Sequence, residues 1–264
     1  MNTQINITKL SIKNFFSAHT FIKKHKLGKY YLYISIFAIA LSLGMLSGGV
    51  YFSNKLILSI QDFSIINSLE EWIKNYTSTN VDTYLYWTLF ILIEIPVLIT
   101  SLLIYPTILS IISFPILDSL TEKVNNILFD QKVGPSFSMQ RFGQMLFKIT
   151  LPNAIKTITY SLILMPFTFI PIIGFFFMFL SMCINGYFYG YDILDNYFEN
   201  WNVNIDKSKR FIQSHKTLTT TAGFGGGILA MIPIVGSIFS PIISVVATGL
   251  TLKELNIHDE ITQP

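Results

Sequence analysis

The sequence contains uncharged stretches that are too long for a water-soluble protein. Residues 30–54, 157–191 and 217–252 form runs of 25, 35 and 36 residues without a charged side chain. A fourth run of 35 residues, 83–117, contains Glu94 as its single charge. A membrane-spanning helix needs about 20 apolar residues, and 51% of the chain is hydrophobic whereas 12% is charged. The sequence therefore predicts an all-α integral membrane protein.

Two of these runs are interrupted by nearly the same phrase. Phe-Ile-Pro-Ile-Ile-Gly occupies 169–174, and Met-Ile-Pro-Ile-Val-Gly occupies 231–236. Proline and glycine interrupt helices, and interrupted apolar segments in corresponding places are typical of transporters. The two prolines lie 62 residues apart (233 minus 171), which predicts a structural repeat. The residues expected to shape a transport path are Pro171, Gly174, Pro233 and Gly236.

Each break divides its run into arms that look short for a bilayer. In the run 157–191, about 14 residues precede Pro171 and 17 follow Gly174. The first arm reaches only about 21 Å at 1.5 Å per residue. The break is then either a kink in one long span or the tip of a re-entrant helical hairpin. Four cations in the loop 192–216 favour a cytoplasmic loop, and hence the hairpin.

The charge distribution predicts the topology. Residues 1–29 contain six lysines and no acid, which places the N-terminus in the cytoplasm under the positive-inside rule. Ile12, Phe15 and Phe16 recur near helical spacing among these lysines, which indicates an amphipathic helix on the membrane surface. This helix either attracts anions or lipids, or serves only as a topological anchor.

The predicted organisation has three parts. A basic amphipathic segment, 1–29, precedes one membrane domain, 30–252, and a polar tail, 253–264. The membrane domain is expected to contain two long transmembrane helices, a projecting amphipathic helix and two Pro/Gly-broken re-entrant hairpins. Their respective predicted bounds are 30–52 and 83–117, 115–130, and 157–191 and 217–252.

Enzymatic function is not predicted. The four histidines, His19, His25, His215 and His258, are scattered, and no hydrolase, metalloprotease or phosphate-loop motif occurs. We therefore expect no cofactor and no metal site. Cys183 is the only cysteine, which excludes a disulfide framework, and a net charge of +3 is too small to indicate a nucleic-acid partner.

Three further features carry expectations of their own. Glu94 lies deep in an apolar run, so it is either proton-coupled or a carboxyl kept neutral or paired with Arg141 or Lys156. Four threonines within 217–221 are expected to bond back to their own helix. Three Gly-x-x-x-Gly pairs favour helix packing within the chain over an oligomer interface: Gly44/Gly48, Gly186/Gly190 and Gly223/Gly227.

An ordered set of motifs resembles one membrane family. The set comprises Phe-Pro-Ile-Leu-Asp-Ser-Leu-Thr-Glu at 114–122, the first break, Tyr-Asp-Ile-Leu-Asp-Asn-Tyr-Phe-Glu at 191–199, the Gly-rich stretch and the second break. Together these motifs, across residues 10–252, resemble CysZ-type sulfate permeases of the etoposide-induced-protein domain family. The resemblance implies a multi-pass protein of the bacterial inner membrane that forms homo-oligomers and takes up sulfate for sulfur assimilation.

The resemblance also implies functional residues. Lys26 and Lys29 stand where the family has adjacent arginines proposed to bind sulfate, so they are the expected anion-binding residues. An expected charged network beside the path consists of Glu94, Glu122, Arg141, Asp195, Glu199 and Arg210. The predicted function is a membrane transporter or channel for a small inorganic anion, with sulfate first. The alternative is a non-transporting membrane scaffold or envelope-assembly protein of the same fold.

Overall fold

A computed structural model describes residues 2–61, 68, 81–129, 139–168, 170, 172–230, 232 and 235–262. Every element within these residues is helical, which confirms the all-α class. In chain order the helices are α1 (Asn2–Lys24), α2 (Lys29–Gln61), α3 (Val81–Phe129), α4 (Met139–Met145), α5 (Leu151–Thr168), α6 (Ile173–Asn200), α7 (Ile205–Ser214), α8 (Lys216–Ala230), α9 (Val235–Glu254) and α10 (Ile257–Thr262). A π-helical turn, Leu146–Thr150, joins α4 to α5.

The predicted spans 30–52 and 83–117 fall inside the two longest helices. α2 contains 33 residues and α3 contains 49, so both continue past the predicted ends. α3 is continuous through the proline positions 96, 106 and 115, and it includes the predicted projecting helix within one element. At 1.5 Å per residue α3 is about 74 Å long, well over twice the roughly 30 Å of a bilayer core.

Two helices are long and apolar enough to cross a membrane among the residues that the structure describes. They are Lys29–Ile60 and Ile173–Asn200, and only 11% and 17% of their apolar windows are buried. The core helix of a soluble protein would be mostly buried, so this exposure is typical of helices that face lipid. The expectation that neither arm of the first break is long enough to cross is wrong for α6. The helix continues beyond the uncharged run, because Asp192 and Asp195 find polar partners within the fold.

The chain divides into two units, residues 39–107 and residues 1–38 with 108–264. In the smaller unit, the Tyr86 hydroxyl of α3 donates to Asn54 Oδ1 of α2 at 2.9 Å. The Trp87 ring lies edge-on to its neighbours Tyr86 and Phe90, with centroids 5.8 and 5.7 Å away. A polar bond and an aromatic cluster therefore characterise this unit.

In the larger unit, both breaks reverse the direction of the chain. α5 packs against α6, where the Tyr160 and Phe188 rings stack with centroids 6.2 Å apart. α8 packs against α9, where Ser240 Oγ donates to the Gly226 carbonyl at 2.7 Å. Because each contact pairs residues nearly equidistant from the break, the helices run antiparallel, and neither break is a kink in a straight helix.

The backbone hydrogen bonds of the two breaks repeat with the same offset of 62 residues. The Gly174 N–H donates to the Ile170 carbonyl at 2.7 Å, and the Gly236 N–H donates to the Ile232 carbonyl at 2.8 Å. The preceding bonds also correspond, with Ile170 to Phe167 at 3.2 Å and Ile232 to Leu229 at 3.1 Å. The predicted repeat is thus confirmed at the level of the backbone. Pro171 and Pro233 lie outside the described residues.

Glycine allows α6 and α8 to cross in backbone contact. A Cβ at Gly190 would overlap the Thr219 carbonyl oxygen, and a Cβ at Gly223 would overlap the Gly186 carbonyl oxygen. This confirms packing within the chain for the Gly186/Gly190 pair and for Gly223. At Gly44 and Gly48, by contrast, no described atom lies within 4 Å of an added Cβ.

The threonines of α8 behave as expected. Thr219 Oγ1 donates to the carbonyls of Ile212 and His215, both at 3.0 Å, and Thr221 Oγ1 donates to the Thr217 carbonyl at 2.9 Å. Back-bonding is therefore confirmed for these two hydroxyls.

Candidate functional site

The turn between α1 and α2 follows a standard rule for ending a helix, with an unusual residue at its centre. The Leu27 N–H donates to the Ile22 carbonyl at 2.9 Å, and the Lys26 N–H donates to the Lys23 carbonyl at 3.3 Å. These two bonds define a Schellman motif, and the buried side chains of Ile22 and Leu27 form its hydrophobic contact. Lys26 occupies the left-handed position with a φ of 55°.

A lysine in this position has a conformational cost. Glycine is the usual residue there, because a Cβ in the left-handed region collides with the backbone at roughly 1–2 kcal/mol. Such strain persists only where the surrounding structure imposes it, and it concentrates at functional positions. The turn therefore orients the Lys26 side chain at the expense of local backbone strain.

An open basic pocket of about 400 Å³ lies at the turn. None of the residues that line it is acidic, and four carry basic groups. The lining residues are His19, Ile22, Lys23, Lys26, Gly28, Lys29 and Tyr31. Three ammonium groups without a lining carboxylate make this pocket electropositive, and an anion is the ligand that would reduce their mutual repulsion.

The predicted residues Lys26 and Lys29 both line the pocket, on the two sides of the turn. Lys29 begins α2, so the positive end of the helix dipole lies at the same place. Its Nζ is 5.5 Å from the centroid of the Tyr30 ring. Tyr30 is itself buried and donates from its hydroxyl to the Ser119 carbonyl at 3.2 Å, which fixes the start of α2.

Sequence reasoning missed His19, Lys23 and Tyr31 as pocket residues. The Tyr31 hydroxyl is buried and has no hydrogen-bond partner among the described residues. Its ring lies against Phe239 of α9, with centroids 4.7 Å apart, so the hydroxyl is held in position. The ring of Tyr31 therefore lines the pocket, while its hydroxyl is a buried donor.

A second cluster of charges joins three helices away from the pocket. Arg141 Nη2 of α4 is 3.4 Å from Asp195 Oδ1, and Arg141 Nε is 3.6 Å from Glu199 Oε1. The two acids are one helical turn apart on α6, and Ser208 of α7 also donates to Asp195. Because Asp195 is fully buried, removing the guanidinium would leave an uncompensated charge. The cluster therefore ties α4, α6 and α7 together.

Polar contacts continue from this cluster to the end of α3. Asn200 Nδ2 donates to Asp118 Oδ1 at 3.2 Å, and Trp201 Nε1 donates to Asn125 Oδ1 at 3.1 Å. Burial raises the pKa of the Asp118 carboxyl to about 6; the Asn200 hydrogen bond lowers it in part, and the Glu122 carboxylate raises it. Sequence reasoning missed Asp118 and Asn200, whose polar pairing depends on two helices meeting far apart in the chain.

Comparison with known proteins adds to this geometry. Residues 14–241 match the family described as sulfate transporter CysZ/Etoposide-induced protein 2.4. The chain belongs to this family. The match confirms the resemblance drawn from the motifs, and it includes the pocket lysines, both breaks and the Arg141 cluster. Among curated proteins, none matches the chain.

The other expected members of the charged network in this CysZ-family chain are Arg210, Glu122 and Glu94. Arg210 is exposed on α7, and its Nε donates to the Asp206 carbonyl at 3.3 Å. Glu122 lies one turn after Asp118 on α3. Glu94 belongs to the smaller unit, and its Oε2 is buried without a hydrogen-bond partner among the described residues. Of the expected network, the contacts seen among the described residues therefore join Arg141, Asp195 and Glu199.

Within the described ranges, no group of three or more His, Cys, Asp or Glu side chains has an arrangement that could hold a metal ion. Arg141, Asp195 and Glu199 form ion pairs instead.

Proposed function

We propose that this CysZ-family protein transports a small inorganic anion across the bacterial inner membrane for sulfur assimilation, and that sulfate is the leading candidate. The proposal rests on the basic pocket, because three lysines and no acidic residue line it. A divalent oxyanion suits such a pocket, since it can accept hydrogen bonds from several ammonium groups at once. Lysine lacks the two-pronged geometry of arginine, so selectivity rests on the number and placement of donors.

The pocket residues have complementary roles in this proposal. Lys23, Lys26 and Lys29 attract and bind the anion, and the dipole of α2 adds to their field. The strained backbone at Lys26 keeps one ammonium group aimed at the anion rather than leaving it free in solvent.

The two hairpins form the membrane part of the proposed path. Their tips carry exposed apolar side chains, among them Ile172, Phe175 and Phe176 at the first break and Ile232 and Val235 at the second. Such tips are suited to dip into lipid and return, and broken backbone at that depth is tolerated where it lines a cavity. The proposal also includes re-entrant hairpins, a cytoplasmic N-terminus and assembly into homo-oligomers. It includes no enzymatic activity. The six lysines of residues 1–29 support the orientation.

Sulfate flux into liposomes tests the function. Lys29→Ala should reduce flux of labelled sulfate about tenfold, since a hydrogen bond to a charged group contributes roughly 1.5–3 kcal/mol. Lys26→Gly should reduce flux to a similar extent while leaving the protein as stable or more stable, because glycine relieves the left-handed strain. Lys24→Ala is the matched control, since Lys24 is exposed on the same basic segment and does not line the pocket.

Two outcomes would contradict the proposal. Wild-type protein that gives no flux above empty vesicles would exclude the transporter and leave the non-transporting scaffold. Flux that responds equally to changes at Lys24, Lys26 and Lys29 would show that the lysines act through net charge alone, and the pocket would lose its role.

A further inference from the structure

The outward face of α1 combines large apolar side chains with lysines. Ile5, Ile12 and Phe16 are exposed, and Phe16 is 77% exposed, although the helix belongs to a folded unit. At 100° per residue these three positions fall within about 40° of one another on the helix. Lys9 and Lys23 lie on the same stripe, and Lys13 and Lys24 flank it on one side.

The opposite face of α1 holds the helix in a fixed rotation. Ser11 Oγ donates to Thr221 Oγ1 of α8 at 3.0 Å, and Asn14 Nδ2 donates to Thr251 Oγ1 of α9 at 3.2 Å. Ala18 and Ile22 are buried on the same side. Because these contacts would break if the helix rolled, Ile12 and Phe16 cannot turn inward to join the core.

We infer that the outward face of α1 binds an anionic lipid leaflet, with Phe16 and Ile12 among the acyl chains and the lysines at the headgroup phosphates. A helix with an apolar stripe bordered by lysines lies in the membrane interface, and its affinity sums apolar burial and attraction to anionic lipid. The charge of residues 1–29 favours this partner, because the segment has six lysines and no acid and would repel a basic surface and gain nothing from a neutral one. One of the six, Lys13, is already paired, with its Nζ 3.6 Å from Glu254 Oε2 of α9.

Spin-label accessibility in reconstituted vesicles tests the insertion. In a Cys183→Ala background, Phe16→Cys carries a nitroxide on the proposed lipid face, and Ser17→Cys carries one about 100° around the same helix. In vesicles of phosphatidylcholine with phosphatidylglycerol, the label at 16 should be accessible to oxygen and shielded from an aqueous nickel chelate. The label at 17 should show the reverse ratio. Equal nickel accessibility at both positions would overturn the inference.

Lipid charge tests the second half of the inference. Removing phosphatidylglycerol should raise nickel accessibility at position 16 at least twofold, and Lys9→Gln with Lys24→Gln should produce the same rise while phosphatidylglycerol is present. Insertion that is indifferent to both changes would refute anionic selectivity. Spin–spin broadening between labels at 16 would instead show that a second copy of the chain covers this face, which would also overturn the inference. None of these readouts depends on sulfate transport.

Discussion

The two helical hairpins share a break but differ in their surroundings. In the first, Leu180, Cys183 and Ile184 of α6 are only partly buried. In the second, the residues 62 positions later, Ile242, Val245 and Val246 of α9, are fully buried. The difference arises because α1 packs against both helices of the second hairpin. A repeated phrase thus sets where a chain turns back, and the neighbours set what the hairpin faces.

Composition follows this difference. The first hairpin uses bulky phenylalanines around its break, while α8 and α9 use glycine, serine and threonine where helices approach closely. Large side chains can occupy a fluid such as lipid without matching a partner surface. Small ones are required where backbones touch, as at the crossing of Gly190 with Gly223.

The largest effect that would sharpen this comparison is expected at the crossing of α6 and α8. Gly223→Ala places a Cβ against the Gly186 carbonyl oxygen and the Gly190 backbone, neither of which can move without shifting a helix. We expect a loss of about 3 kcal/mol or more in the free energy of unfolding. Thermal unfolding in detergent measures it.

Gly227→Ala is the matched control on the same helix. Its added Cβ would lie 3.9 Å from the nearest atom, an ordinary contact, and alanine is the better helix former. Stability should therefore be unchanged or slightly higher. Similar losses for both substitutions would show that the close approach of α6 and α8 at Gly223 is not the cause of the loss.

An intermediate effect is expected at the second break. In Gly236→Ala the new Cβ would overlap the Leu229 carbonyl oxygen, so we expect a loss of about 1–3 kcal/mol. Gly174→Ala should lose a comparable amount, because the matching backbone bonds put the Phe167 carbonyl where the Leu229 carbonyl stands at the second break. Val235→Ala, at an exposed position, serves as the control in the same unfolding measurement. If Gly174→Ala left the stability unchanged, the two breaks would share their hydrogen bonds but not a steric requirement for glycine.

The smallest effect is expected at Ile172, and its sign is opposite. This β-branched residue precedes α6 with a φ of 69° and a ψ of −57°, a strained γ-turn conformation, and it is 85% exposed, so it brings strain and few contacts. Ile172→Gly should raise stability by up to about 1 kcal/mol, since glycine has no Cβ to oppose a positive φ. Ile172→Val should change nothing, because valine keeps the branch. Destabilisation by glycine would contradict the strain.

Much of this fold follows from residue patterns in the sequence. The uncharged runs located α2, α3 and both hairpins, because charge is what a lipid-facing helix excludes. The position of the charges did not predict where α6 ends. Asp192 and Asp195 end an uncharged run but not the helix, since Asn153 and Arg141 provide their partners. Partners that come from distant helices leave no mark on local composition.

The site was predictable in part for a similar reason. Lys26 and Lys29 were indicated by the family resemblance, but Lys23 and Tyr31 join them only through the geometry of the turn. A glycine at position 26 would have predicted the end of α1 from the sequence, whereas the lysine at that position gives no such signal. Of the expected charged network, three members meet because α4 and α6 do, which spacing along the chain could not indicate.

The left-handed lysine also bears on how this protein can change over evolutionary time. Replacement of Lys26 by glycine or asparagine can arise by mutation, and it should increase the stability of the fold. The proposed need for a positive charge would oppose that replacement. Among descendants of this sequence we therefore expect lysine at position 26 where the pocket binds an anion, and glycine or asparagine where it does not.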